Sequence, residues 1–127
     1  MSTEQTAEDS LHLANSHLER VWSSWDEPTD WADLSTYGFY CLEASVVAAA
    51  LHLGWRRPGS HWAKEDAAQR LHDEHGLPDI ADLLVALNQT RKHEAYGDTD
   101  RPDDLEPEEI ATAIEEYVGY VAELLAR

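Results

Sequence analysis

Several things are missing from this 127-residue chain, and each absence removes a class of protein. It has one cysteine, Cys41, so no disulfide forms within it and no cysteine pair is available for a metal or redox motif. Cys41 sits in an apolar stretch and reads as a small core residue rather than a nucleophile. Lysine is nearly absent, with only Lys64 and Lys92. The longest apolar run, SVVAAALHLGW, is too short to span a bilayer. The opening MSTEQTAEDS has neither a basic start nor an apolar segment, so no signal peptide is expected. We expect a cytoplasmic protein with no membrane contact. There is no Gly-rich phosphate cradle, no nucleophile elbow, no internal repeat and no strand-like alternation.

Acidic residues, by contrast, are plentiful: 26 against 9 basic ones, for a formal net charge of −17. Such a surface repels phosphate backbones, so any nucleic-acid contact needs a local basic patch. Acid-rich, lysine-poor chains also occur in salt-adapted cells.

Apolar spacing and turn residues divide the chain into helices within one domain, 1–127. The first runs over about 7–25, with Leu11, Ala14, Leu18, Val21, Trp22 and Trp25 in one stripe. Pro28 then blocks helix continuation. The second, about 31–54, is apolar nearly all round and belongs at the centre of a bundle. A short third helix spans about 60–75, with Ser60 as its N-cap and Gly76 just past its end. The fourth covers about 79–96 with Asp79 as its cap, and the fifth about 107–126 with Pro107 in its first turn. The fold class is all-α: an antiparallel four-helix bundle with one short extra helix.

The fourth helix ends in LNQTRKHEAYGDTD, where polar groups crowd together. At ~100° per residue, Leu84, Leu87 and Arg91 fall within ~40° of Ile80. Arg91 therefore continues the core line, with Asn88 and Glu94 on its flanks. A charge there needs compensation. Two readings stand: Arg91 pairs with Glu94 over three residues, or Arg91, Asn88 and Glu94 line a polar cleft. His93 falls on the opposite face, and Tyr96 on a third with Lys92 one turn before it. In a regular helix, Arg91 and His93 do not act on one atom within one protomer.

The same residues carry a resemblance. YGFYCLEASVVAAALHLG looks like the long central helix of the HEPN superfamily of small helical domains. LPDIADLLVALNQTRKHEAYGD is similar to that family's Leu-Asn-x-x-Arg…Tyr-Gly pattern. The resemblance covers about 35–100 and implies a HEPN-like four-helix bundle that dimerises through the motif face. It implies a component of a toxin–antitoxin or phage-defence system acting on RNA or nucleotides. Many members are metal-independent endoribonucleases, and others pair with a nucleotidyltransferase. Arg91 matches the family's arginine. Nuclease members carry a histidine four to six residues further on; here His93 follows two residues on, and Tyr96 holds the first expected position. Carried over, the resemblance makes Arg91, His93 and Tyr96 the catalytic candidates and Asn88, Glu94 and Lys92 the binding ones. His93 then reaches the cleft only from the second subunit or after a helix distortion, and Tyr96 is a candidate acceptor of a nucleotidyl group. The rival is a non-catalytic interaction module forming a helical homodimer. No cofactor or metal is implied.

Four other features stand out. GWRRPGSHW (54–62) is the one locally basic, aromatic patch, and makes Arg56 and Arg57 candidates for binding phosphate or an acidic partner. His72 and His75 share a helix face, as surface or capping histidines or two ligands of a metal site. Glu43, midway along the apolar second helix, needs a partner, and Arg91 is one candidate. The five tryptophans read as core or helix-junction anchors.

Overall fold

A computed structural model describes residues 6–25, 28–97 and 106–127. Five helices account for nearly all of them: α1 Ala7–Ser24, α2 Trp31–His52, α3 His61–His75, α4 Ala81–Tyr96 and α5 Pro107–Ala126. No strand occurs among the described residues. The all-α class holds, and each helix begins and ends within two residues of its expected limits.

Local chemistry sets the ends. Thr6 caps α1 in a reciprocal box with Asp9: Asp9 N donates to Thr6 Oγ1 at 3.1 Å, and Thr6 N donates to Asp9 Oδ2 at 3.1 Å. Ser60 Oγ accepts from Ala63 N at 3.0 Å and starts α3. Gly76, at φ 72°, ends α3 in the left-handed conformation that favours glycine. The α4 start differs from expectation. Asp79 does not occupy the cap position; Ile80 does, with no side-chain cap bond. The Asp79 carboxylate still accepts from Ala81 N at 3.0 Å, so the residue tethers the turn while the helix begins beyond it.

Helix α2 is the axis of the molecule. Among the described residues it alone packs against all four other helices, most extensively against α1. Residues 41–50 of α2 are all buried. By length and composition α2 alone among the described residues could cross a membrane, but 78% of its most apolar window is buried inside the fold. Gly38 allows the closest approach: a Cβ there would meet Ile114 Cδ1 of α5 at 2.9 Å and Leu87 Cδ1 of α4 at 3.5 Å. Helix α5 buries Ile110, Ile114, Tyr117, Val118 and Val121 as expected, and Leu124 in preference to Leu125.

Tryptophan placement follows the sequence reading only in part. Trp22, Trp25, Trp31 and Trp55 pack against the core. Trp62 is 74% exposed and lies outside the packed core.

Candidate functional site

Helix α4 carries its apolar line through Ile80, Leu84 and Leu87, all buried, and then presents half-buried Asn88 and Arg91. Arg91 Nη2 donates to Asn88 Oδ1 at 2.7 Å. The guanidinium carbon lies 5.3 Å from the centroid of the Phe39 ring and 5.9 Å from that of Tyr40, both on α2. A cation over aromatic faces is held by their quadrupoles. Arg91 Nε is buried and has no hydrogen-bond partner among the described residues. An N–H left in that state is short by the full desolvation penalty of a donor.

The other residues of that stretch scatter. Because α4 is continuous through Tyr96, His93 points about 200° away from Arg91. His93 is half-buried, and Lys92 and Glu94 are exposed. The side chain of Tyr96 lies outside the described residues, as does most of the 97–107 loop. The structure thus brings Asn88 to Arg91 and separates His93 from it.

Glu43 is not the partner of Arg91. It is 5% exposed, and its two oxygens are taken by α3 instead. Oε2 lies 2.6 Å from His61 Nδ1, and Oε1 lies 3.7 Å from Lys64 Nζ. The physical reason is the connection 53–60, which lays the first turn of α3 across the middle of α2 and delivers His61 and Lys64 to the carboxylate. His61 keeps 54% of its side chain exposed, whereas Glu43 keeps 6%.

These two clusters meet on the aromatic pair. The His61 ring is 5.2 Å from Phe39, the same ring that Arg91 approaches. On the α1 side, His17 lies 6.0 Å from Tyr40. Burial pushes the His17 imidazole below its ordinary range, towards the neutral form. A cavity of about 160 Å³ opens between α1, α2 and α3, lined by Ser10, His17, Tyr40, Glu43, Arg57 and Lys64 on its polar side. The buried Ser10 Oγ has no partner among the described residues.

Arg57 also lines the neighbouring groove of about 600 Å³, with Arg56, Trp55, Trp62 and Arg70. Arg70 stacks 3.8 Å above the Trp55 ring and bonds Glu74 Oε2 through Nε at 2.8 Å. Arg56 and Arg57 are exposed, so the basic patch read from GWRRPGSHW exists as a surface concavity.

Sequence reasoning found Arg91, Asn88 and the oddity of Glu43, but not His61, Lys64 or His17. The available signal was a carboxylate inside an apolar helix followed by a histidine at the first position of the next. Cys41 is inert: burial pushes its thiol up to about 12. His72 Nδ1 lies 2.7 Å from Leu77 O and closes the α3–α4 turn. Among the described residues, no three His, Cys, Asp or Glu side chains gather as a metal site would need. No family model, no curated protein and no solved structure matches this chain.

Proposed function

We propose that this chain is a HEPN-like protein of a toxin–antitoxin or phage-defence system, and that it acts on RNA or nucleotides in the cytoplasm as a homodimer. In this reading α1, α2, α4 and α5 are the antiparallel four-helix bundle, and α3 is the short extra helix. The observation that supports it is Arg91: a half-buried guanidinium on the core line of α4, held by Asn88 and two aromatic faces, with one buried N–H unsatisfied among the described residues. A phosphate oxygen is the ligand such a group fits best, since guanidinium donors match phosphate geometry. In a chain of net charge −17, a phosphate ligand must be taken by a few concentrated cations. Arg56 and Arg57 line a separate groove of about 600 Å³, where an exposed Trp62 offers a stacking face for a base.

A second reading has its own support. The divergence of His93 from Arg91 along a regular helix favours a non-catalytic module that binds RNA or a nucleotidyltransferase partner without turnover.

Incubation with end-labelled RNA in the presence of a chelator, beside Arg91→Ala, separates these. Cleavage by the natural protein that the variant loses supports the metal-independent endoribonuclease. Binding without cleavage, weakened in the variant, supports the module. No binding and no cleavage, or identical behaviour of both proteins, rejects the assignment.

A further inference from the structure

An ionised carboxylate only accepts hydrogen bonds. With Glu43 as the carboxylate, His61 Nδ1, 2.6 Å from Oε2, is the donor of this bond. In the neutral imidazole that bond selects the tautomer with the hydrogen on Nδ1 and leaves Nε2 able to accept a proton. The pair is asymmetric in depth: the carboxylate is 6% exposed and the imidazole 54%. The orienting carboxylate is the buried member and the imidazole the exposed one, which is the layout general-base chemistry needs. Lys64 Nζ, 3.7 Å from the second oxygen, keeps the carboxylate from turning away. Phe39 connects this pair to the arginine site. Its ring centroid is 5.2 Å from that of His61 and 5.3 Å from Arg91 Cζ, so imidazole and guanidinium share one aromatic side chain.

We propose that His61, oriented by Glu43, is the proton-transfer residue for a phosphate ester anchored on Arg91. This rests on the reading of Arg91 as a phosphate anchor. His61, from α3, takes the role that the motif spacing offered to His93. Glu43 is a positioning residue. In the step, the proton of the attacking hydroxyl passes to His61 Nε2 as the new O–P bond forms. The P–O bond to the leaving oxygen breaks, and the imidazolium returns its proton to that oxygen. On a ribonucleotide diester the attacker is the neighbouring 2′-hydroxyl, and no metal or co-reactant is consumed.

Two measurements on the full chain test this. In ¹⁵N NMR, the free protein is expected to show His61 protonated at Nδ1. Addition of a fully 2′-O-methylated RNA oligomer, which cannot supply the attacking hydroxyl, is expected to shift both His61 Nε2 and Arg91 Nε. An Nε2-protonated ring, or a shift at Arg91 without one at His61, overturns the inference and leaves the phosphate anchor standing. No shift at either group overturns both. With unmodified RNA, His61→Ala is expected to lower cleavage about 100-fold or more, with partial rescue by added imidazole. His93→Ala is expected to stay within about twofold, and Glu43→Gln to lower kcat while KM holds. Loss in His93→Ala with activity kept in His61→Ala overturns it, and so does a natural protein that binds RNA and leaves it intact.

Discussion

Replacing Glu43 by methionine should stabilise the protein. The side chain is 6% exposed in a helix whose neighbours are alanines, valines and leucines, so folding strips water from a charge. Its partners recover only part of that loss: Lys64 stands 3.7 Å off, and His61 gives a single bond. Exchange of a buried ion pair for a well-packed apolar residue is often neutral or stabilising by about 1–4 kcal/mol. Removing one partner usually strands the other, but here His61 is 54% exposed and Lys64 22%, so both can turn to solvent. Methionine matches glutamate in length and helix propensity and can fill space beside the α1–α3 cavity. We expect Glu43→Met to gain about 1–3 kcal/mol in urea melts. That corresponds to roughly 3–5 °C in Tm per kcal/mol for a chain of this length. The converse change, Lys64→Met, leaves the carboxylate short of a partner and should destabilise by about 1–3 kcal/mol. A gain in stability on its removal is the outcome expected of a carboxylate kept for its chemistry. If Glu43→Met melts lower than the natural protein, the carboxylate is a structural strut and the argument fails.

Other outcomes follow from the same packing. Tyr117→Phe should be neutral or stabilising by about 1 kcal/mol in thermal melts, because the buried Tyr117 hydroxyl has no partner among the described residues. Gly38→Val should destabilise by about 1–3 kcal/mol by chemical denaturation, since a Cβ alone already reaches within 2.9 Å of Ile114 Cδ1. Gly38→Ala should stay near neutral, because that contact is the far end of a flexible side chain and alanine gains helix propensity. Urea midpoints should fall as pH rises from about 9 towards 12. The unfolded thiol of Cys41 ionises near 9.0, whereas the folded one is pushed up to about 12, so the unfolded state binds fewer protons across that window. Burial raises Tyr117 in the same direction, and Cys41→Ala should flatten only the thiol's share. A thiol reagent at pH 8 should leave Cys41 unmodified until denaturant is added.

Much of the fold is legible in the sequence because its punctuation is local. Ser60, Gly76, Pro28 and Pro107 act on their own backbone, so helix limits follow from neighbours in the chain. The burial of residues 41–50 of α2 follows from its apolar composition. The site is legible only where one helix contains it: Asn88 and Arg91 lie three residues apart on α4, and helical spacing places them together. Glu43 and His61 are 18 residues apart on different helices. Which cation meets Glu43 depends on the direction in which the connection after Gly54 lays α3 across α2. Helical periodicity holds no information about that direction, so the sequence points to Arg91 as the partner of Glu43 and packing supplies His61 instead. Trp62 shows the same limit, because its residue type suggested burial and its place on the outer side of α3 left it in water.

The most direct test of the phosphate anchor is equilibrium binding of a fluorescent oligoribonucleotide, at fixed salt, to the natural protein and to Arg91→Met. Methionine preserves the aliphatic stem and removes only the guanidinium. The anchor predicts affinity weaker by about tenfold or more, with Tm unchanged or raised. Equal affinity in a folded Arg91→Met protein would contradict it.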